Sequence, residues 1–338
     1  MRGAWVLLRG RRIGARARHL PDRLLATSRA RALFLAALGL AWYSVVAAPG
    51  SAVQGALAGN VDAAVDSANL NAGETDLSSS ARIDSGYLLE AVMHSDILQW
   101  DYPYRVYLPS GYYSSQERYP VLYLLHGNGG DYTEWTEGNL VANFASVMMA
   151  GGRIRKMIIA MPEGDHGFFM NWVGGTQRWS DYVVKEIIPL IDSRYRTIPD
   201  RQHRAIGGNS GGGEAALQLA FNHPDLFSVV GAHTPSLRLD LTGAPTIVFG
   251  DWNYYADYDP VRLALTRGGL SSLQIWVDAA EMDPYLPATQ KLHENLLSRG
   301  IDHQWHIFPG IHFTTEWILH MPEYLDYYSG ALEKAAAR

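Results

Sequence analysis

A serine among glycines is the residue of this sequence best suited to attack a carbonyl carbon. Ser210 lies in the segment Gly207-Gly208-Asn209-Ser210-Gly211-Gly212-Gly213, after a short apolar run and before a helical pattern that begins at Glu214. A strand, a sharp turn and a helix in this order hold a serine hydroxyl clear of the backbone, and small flanking residues let strand and helix approach closely. The pattern G-x-S-x-G is weakly specific in a chain with 33 glycines, so the rest of the sequence must supply its partners.

A serine hydroxyl is a poor nucleophile at neutral pH, so it needs a base, and the base needs a carboxylate to orient it. Both partners are predicted in loops that follow later strands, in the order serine, acid, histidine. His312 is the predicted base because it follows the last apolar run, whereas the other histidines lie inside predicted elements or earlier in the chain. Three acids of the preceding loop compete. Asp283, near the middle of that loop, is the predicted partner rather than Asp278, which ends its strand, or Glu281.

The negative charge that develops on the carbonyl oxygen during such an attack needs backbone N–H donors. Gly211, directly after the serine, is one predicted donor. The other is predicted in the turn His126-Gly127-Asn128-Gly129-Gly130, with Asn128 as the donor, because the glycines there let the backbone approach a substrate. These two residues therefore form the predicted oxyanion hole.

Strands alternate with helices along the part of the chain that carries these residues. Short apolar runs predict strands over residues 87–93, 102–108, 119–125, 157–161, 203–206, 227–232, 245–249, 273–277 and 304–308. Helical spacing predicts helices over residues 180–195, capped by Ser180, and over 214–222, 288–299 and 315–328. The first two strands have a short connection and are predicted to pair antiparallel. The alternation of the others predicts an α/β fold, a mostly parallel central sheet with helices on both faces, and a site at the carboxyl ends of its strands.

Aromatic residues are frequent near the predicted site, and most are expected to pack the domain. Trp172, which follows a predicted strand end, and Trp135 are the candidates for substrate contact, because aromatic faces suit a sugar ring or a hydroxycinnamoyl group.

Asp165 and His166 form a pair without a third ligand, so no metal and no other cofactor is expected. No long insertion follows the strand near residue 229, so the site is expected to be open, without a large cap domain.

Composition excludes several classes of function. The chain has no cysteine, which rules out disulfides, a thiol nucleophile and thiolate metal sites. Its net charge of −6 is uneven: residues 1–52 hold nine arginines against one acid, Asp22, a net +8, which leaves −14 for the remainder. An acidic body has no basic face for phosphates, so a nucleic-acid partner is not expected.

The arginine-rich start of the chain is predicted to be a targeting segment. An uncharged apolar run over residues 32–48 is followed by small residues that suit a signal peptidase. Residues 1–52 are therefore predicted to be a signal peptide, or an uncleaved signal anchor with 32–48 in the membrane, and the protein is expected outside the cytoplasm, secreted or periplasmic. Residues 53–84 predict a disordered linker, 85–332 the catalytic domain and 333–338 a tail.

Residues 102–325 resemble the esterase family of α/β-hydrolases that includes S-formylglutathione hydrolases, feruloyl esterases, enterochelin-type esterases and mycolyltransferases. The segments that carry this resemblance are YRVYLPSGY at 104–112, YPVLYLLHGNGGDYTEW at 119–135, WSDYVVKEIIPLIDSRY at 179–195, GGNSGGGEAALQLAFNHPDLF at 207–227, IWVDAAEMDPYLPAT at 275–289 and FPGIHFTTEW at 308–317. The resemblance implies an α/β-hydrolase fold, with Ser210 as nucleophile, Asp283 as acid and His312 as base. Two positions depart from the family's pattern: Ala280 and Ile311 stand where it commonly has glycine.

The sequence thus predicts a secreted or membrane-anchored serine carboxylic-ester hydrolase that forms an acyl-enzyme on Ser210. Acyl transfer to an alcohol or sugar would use the same three residues, and a non-catalytic binding protein on this scaffold is the alternative from another class. The expected partner is a small-molecule or carbohydrate-linked ester, whose acyl and alcohol groups the sequence leaves open.

Overall fold

A sheet of nine strands forms the centre of the residues that the structure, a computed structural model, describes: 73, 75–76, 86–165 and 168–338. The strands are β1 (Thr75–Asp76), β2 (Tyr87–Ser95), β3 (Trp100–Leu108), β4 (Val121–Leu125), β5 (Ile158–Pro162), β6 (Arg204–Asn209), β7 (Val229–His233), β8 (Gln274–Ala280) and β9 (Gln304–Phe308).

The strand order across the sheet is β1-β2-β3-β5-β4-β6-β7-β8-β9. The pairs β1–β2, β2–β3 and β3–β5 are antiparallel, and every pair from β5–β4 to β8–β9 is parallel. The predicted antiparallel pair and the predicted mostly parallel sheet are both confirmed. Because the parallel strands point the same way, the loops that follow them meet at one edge of the sheet.

Helices of the described residues connect these strands. The α-helices are α1 (Val141–Ala150), α2 (Trp179–Tyr182), α3 (Ile188–Arg194), α4 (Ser210–Asn222), α5 (Thr246–Phe249), α6 (Trp252–Tyr255), α7 (Pro260–Thr266), α8 (Leu286–Ser298) and α9 (Thr314–Ala336). Two π-helical turns, Glu134–Gly138 and Val183–Ile187, and two 3₁₀ turns, Arg201–His203 and Leu270–Ser272, complete the connections.

Both faces of the sheet are covered. Along β4, the side chains of Val121, Tyr123 and Leu125 belong to one core cluster and those of Leu122 and Leu124 to another. Successive side chains of a strand point to opposite faces, so the two clusters lie on opposite sides of the sheet. Residues of α2, α3, α4, α7 and α8 complete the first cluster, and residues of α1 and α9 complete the second.

Residues 245–249 form a helix, so the predicted strand is wrong. α5 is a single turn that follows Pro245 and ends at Gly250, whose φ of +62° turns the chain away. Val248 and Phe249 are buried while Ile247 is 56% exposed. Two adjacent buried residues fit one side of a helical turn, whereas a half-buried strand would bury alternate residues.

Three boundaries also differ from the sequence prediction. Ser180 lies inside α2 and its hydroxyl donates to the carbonyl of Phe169 at 2.7 Å, so it does not cap the helix. The last helix continues past residue 332 to Ala336, and β1 lies within the span predicted as linker.

The predicted targeting segment 1–52, with its apolar run 32–48, and most of residues 53–84 lie outside the described residues. Among the described helices, none combines the length and the apolar character that a membrane span requires.

Candidate active site

Ser210 stands at the turn from β6 to α4 with a backbone φ of +50°, in the left-handed region that residues other than glycine rarely adopt. A Cβ on Gly208 would lie 2.2 Å from the carbonyl oxygen of Gly212, and a Cβ on Gly212 would lie 2.1 Å from that of Leu125. Only glycine fits at these two positions. The strained turn, which costs on the order of 1–2 kcal/mol, is braced by the N–H of Ser236, which donates to the Ser210 carbonyl at 3.0 Å.

The side chains of Ser210, His312 and Asp283 form one chain of hydrogen bonds. The Ser210 Oγ lies 2.8 Å from His312 Nε2, and His312 Nδ1 lies 2.9 Å from Asp283 Oδ2. The Asp283 side chain is 1% exposed, and its other oxygen accepts a hydrogen bond from the N–H of Tyr285 at 2.8 Å. A buried carboxylate fixes Nδ1 of the imidazole as a donor, which leaves Nε2 free to accept the serine proton.

The loops that carry Asp283 and His312 are joined to each other. Beyond the paired part of β8 and β9, the N–H of Glu281 donates to the carbonyl of Phe308 at 2.8 Å, and the N–H of Met282 donates to that of Gly310 at 3.0 Å. These bonds continue the sheet pairing into the loops. They fix the distance between the loop that carries Asp283 and the loop that carries His312.

Ile311, directly before His312, stands where the similar esterases commonly have glycine, and the loop accommodates it. Ile311 is 47% exposed, so its larger side chain meets solvent instead of the site. Gly310 supplies the unusual backbone, with a φ of +146°. The His312 ring then contacts Tyr285 on one side and Trp317 on the other, with ring centroids 5.1 and 5.8 Å away.

Neither rival acid is hydrogen-bonded to His312. Glu281 is exposed. Asp278 is completely buried, and its carboxylate accepts hydrogen bonds from the N–H of Thr234 at 2.9 Å and the indole N–H of Trp276 at 2.7 Å. Its remaining partner is His233, at 2.8 Å from Nδ1.

Asp278 and His233 thus form a second, wholly buried Asp–His pair, which the sequence did not predict. His233 Nε2 lies 2.8 Å from the hydroxyl of Tyr328, and the ring of Tyr324 stacks on the imidazole at 3.6 Å. Both side chains are fully buried and the His233 Nε2 faces a tyrosine hydroxyl, so this pair ties β7 and β8 to α9. No pattern in the sequence distinguished it, because its members are 45 residues apart in the chain.

The loop that follows β4 lies directly against the nucleophile turn. A Cβ on Gly211 would lie 3.1 Å from the backbone nitrogen of Asn128, and a Cβ on Gly127 would lie 3.3 Å from Cβ of Ser210. Within the described part of the chain, the Asn128 N–H has no acceptor. The N–H of Gly211 is in the first turn of α4, where amides lack an intrahelical acceptor. Two predicted donors therefore lie on adjacent backbone segments beside the serine hydroxyl.

Glu134 connects this loop to the nucleophile turn. Its Oε2 accepts a hydrogen bond from the N–H of Gly127 at 3.0 Å, and its Oε1 accepts one from the side-chain amide of Asn209, the residue before the serine. A Cβ on Gly130 would overlap the same carboxylate. Glu134 was not among the site residues predicted from the sequence. Glu134 follows Gly127 by seven residues, in the connection after the same strand, and this closeness in the chain was the one sequence signal that the two residues could be in contact.

The two tryptophans predicted to contact substrate differ in their burial. Trp135 is 1% exposed and packs in the second core cluster, with its ring 6.4 Å from that of His233, so it offers no surface to a substrate. Trp172 is partly buried between the first core cluster and a third one that contains Phe168 and Phe249. Residue type alone does not say whether an aromatic side chain faces the core or the site.

No metal centre is formed by the described residues, among which no group of three or more His, Cys, Asp or Glu side chains could hold an ion. His166, one half of the pair considered from the sequence, lies outside the described residues. The chemistry that the described groups support is proton transfer and nucleophilic attack by a hydroxyl.

Comparisons with known proteins agree with this geometry. The family described as "Putative esterase" matches residues 95–328. Esterase MT1326 of Mycobacterium tuberculosis (strain CDC 1551 / Oshkosh) is 29% identical over 248 residues, which are 63% of this chain and 53% of that protein. An endo-1,4-beta-xylanase/feruloyl esterase of Xylanibacter ruminicola is 33% identical over 133 residues, which are 37% of this chain and 18% of that protein. The chain thus spans about half of the first relative and less of the second.

A solved structure of a ferulic acid esterase is similar over 73% of this chain and 99% of its own, with a TM-score of 0.66 and 25% identity. The central sheet and its helices are therefore those of an α/β-hydrolase, as the sequence predicted. Because the family match covers more than half of the residues, this chain belongs to the family described as "Putative esterase".

Proposed function

We propose that this chain hydrolyses carboxylic esters through an acyl-enzyme on Ser210. His312 Nε2 takes the hydroxyl proton as Oγ attacks the ester carbonyl, and the same proton is then given to the departing alcohol. In the second half, His312 takes a proton from water as the water oxygen attacks the acyl carbon, and the imidazolium returns that proton to Ser210 Oγ as the acyl bond breaks and the acid is released. Asp283 orients the imidazole and stabilises its positive charge.

The observation that carries this proposal is the continuous hydrogen-bond chain from Ser210 through His312 to Asp283, with the serine held at φ of +50°. A merely structural serine does not need a strained turn between a strand and a helix. The N–H groups of Asn128 and Gly211 stabilise the oxyanion, and removal of one such donor typically costs about 3 kcal/mol of transition-state stabilisation.

The test is turnover of 4-nitrophenyl acetate, followed by a panel of acetyl, feruloyl and long-chain acyl esters. Feruloyl esters belong in the panel because two of the similar proteins are named for them. We expect Ser210→Ala and His312→Ala each to lower kcat at least about 1,000-fold. Ser193→Ala, at an exposed serine on α3, is the matched control and should keep full activity.

Folding of each variant is checked by its circular dichroism spectrum and thermal unfolding. Activity that persists in folded Ser210→Ala contradicts the mechanism. A wild-type protein that turns over no ester of the panel supports a binding function on this scaffold. Added alcohols then report whether the acyl group passes to water or to another acceptor, since both reactions use the same acyl-enzyme.

The segment 1–52 supports export as part of the proposal, because its arginines and apolar run have the composition of a signal peptide or signal anchor. N-terminal sequencing of the protein from a cell fractionation separates the two forms. A mature start after the small residues near 47–52 indicates cleavage, and an intact protein in the membrane fraction indicates an anchor. An intact protein in the soluble cytosolic fraction contradicts export.

A further inference from the structure

Arg238 lies near the nucleophile turn, against two aromatic rings that also contact each other. Its guanidinium carbon is 4.2 Å from the ring centroid of Phe249 and 5.0 Å from that of Phe168. Phe168 in turn packs on Gly211, because a Cβ at Gly211 would lie 2.8 Å from Cδ1 of that ring. One aromatic ring therefore separates the guanidinium from the residue that follows Ser210.

A buried carboxylate holds one end of this guanidinium. Glu214 lies one helical turn after Ser210 on α4, so both side chains are on the same face of the helix. Arg238 Nη1 donates to Glu214 Oε2 at 2.7 Å and to the carbonyl of Ser236 at 2.9 Å. The hydroxyl of Tyr255 donates to the other oxygen of Glu214. The guanidinium is therefore fixed in position before any substrate arrives.

The environment keeps Arg238 charged. Burial opposes the charged form, but the charge of Glu214, followed by Tyr255 and Tyr285, raises the pKa of the guanidinium above its usual value. Tyr285 is also the residue whose ring packs on His312 at 5.1 Å. The contact of Arg238 with the nucleophile turn itself runs through Phe168, which packs on Gly211.

The opposite edge of the guanidinium has no partner. Among the described residues, no acceptor contacts Nε or Nη2 of Arg238, and neither nitrogen is fully buried. These two groups point in parallel and match the two oxygens of a carboxylate. Because the pairing with Glu214 and Ser236 uses only Nη1, this edge is open to a group that enters from solvent.

We propose that Arg238 binds a carboxylate of the substrate next to the ester that Ser210 attacks. The substrate class is then an ester with a second, ionised carboxyl group, either a half-ester of a dicarboxylic acid or an ester whose alcohol carries the carboxylate. This inference rests on the proposed function, because it names a group of the substrate for the same site.

Two pairs of chromogenic or ultraviolet-absorbing esters test the proposal. For the acyl side, 4-nitrophenyl hydrogen glutarate is compared with its methyl ester, and for the alcohol side, 4-carboxyphenyl acetate is compared with 4-carbamoylphenyl acetate. The quantity measured is the ratio of kcat/KM for the carboxylate ester to that for its masked partner. Because both kcat/KM values of a ratio come from the same variant, a loss of folded enzyme lowers both values equally and leaves the ratio unchanged.

We expect Arg238→Met to lower this ratio about 10-fold or more in one of the two pairs, because charge-assisted bidentate hydrogen bonds are lost. Arg238→Lys, which keeps the charge without the paired edge, should give an intermediate ratio. Arg262→Met, at an exposed arginine of α7, is the matched control and should leave both ratios at the wild-type value.

Arg238→Met leaves Glu214 buried without its cation, so the double variant Arg238→Met with Glu214→Gln is measured as well and should show the same loss. Ratios that stay within about twofold of wild type in both pairs overturn the proposal and assign Arg238 a structural role only. A wild-type enzyme without a preference for either carboxylate ester overturns it too. A folded wild type that hydrolyses neither the carboxylate esters nor the masked esters instead rejects the proposed function.

Discussion

Glu134 accepts a hydrogen bond from the backbone N–H of Gly127 at 3.0 Å, and so fixes the loop that carries one predicted oxyanion donor. Its other oxygen accepts from Asn209, directly before the nucleophile. The distance between the donor loop and the nucleophile turn therefore depends on one side chain. Both oxygens of that side chain are used in these two hydrogen bonds, so we regard it as a positioning residue.

Glu134→Gln should lower kcat about 10- to 100-fold with a much smaller change in KM, because an amide cannot accept both hydrogen bonds and the oxyanion donors shift. Steady-state kinetics on 4-nitrophenyl acetate measure the two parameters. Glu137→Gln, in the same turn but exposed, is the control and should stay within about twofold. A loss shared equally by the two variants would contradict the role of Glu134.

The two Asp–His pairs should respond in opposite ways to the same substitution. Asp278→Asn removes an acceptor from a fully buried network and should cost on the order of 3 kcal/mol of unfolding free energy, with kcat of the folded enzyme changed less than about threefold. Asp283→Asn should leave stability nearly unchanged and lower kcat about 10,000-fold, because the imidazole loses its fixed tautomer. Urea unfolding and kinetics of both variants check this. If Asp278→Asn and Asp283→Asn lose the same stability and the same activity, the assignment of Asp283 as the acid is wrong.

Asp259 should make the fold less stable as the pH rises. Burial, with a smaller contribution from the charge of Glu214, raises the pKa of Asp259 to about 6, although its hydrogen bond from the Val261 N–H works the other way. The folded chain then holds a proton that the unfolded chain releases near pH 4, so stability falls between about pH 4 and pH 6.

Asp259→Asn keeps a helix cap and cannot ionise. We expect it to match the wild type near pH 4 and to exceed its unfolding free energy by up to about 3 kcal/mol above pH 6. Urea unfolding at pH 4, 5, 6 and 7 measures the difference. A difference that does not vary with pH would contradict the raised pKa.

Gly212→Ala should abolish activity and lower stability by more than about 3 kcal/mol, because its Cβ would lie 2.1 Å from backbone atoms of β4 that cannot move aside. Gly330→Ala is the matched control within α9, where an added Cβ meets nothing within 4 Å. It should raise stability by up to about 1 kcal/mol. Thermal unfolding and ester turnover compare the two, and a well-folded, active Gly212→Ala protein would contradict the packing of this turn.

Features that depend on the order of local patterns could be predicted from the sequence. Apolar runs and the turns after them gave the parallel sheet. Because parallel strands end at one edge, they also indicated that Ser210, Asp283 and His312 would lie near each other. The catalytic role of these three residues stays a prediction until the variants are measured. The single turn of α5 was missed because a short apolar run fits a strand and a buried helical turn equally well.

Features that depend on contacts between distant segments could not be predicted. Trp135 was considered for substrate contact because of its residue type, whereas the packing of α1 and α9 decides that it is buried. Glu134 and Arg238 are paired with Asn209 and Glu214, which are distant in the chain and meet them only in the folded protein. A charged residue in a loop has no sequence pattern that separates a solvated side chain from one that bridges two turns.

The position of β9 at the rim of the sheet has a consequence for how the protein loses function on heating. The imidazole is attached just after this outermost strand, whereas the serine follows β6 in the interior. Fraying of the rim would therefore separate base from nucleophile while the interior strands remain native. We expect ester turnover to disappear at a lower temperature than the bulk melting signal, so that enzymatic assay reports sub-global opening that spectroscopy of the whole chain overlooks.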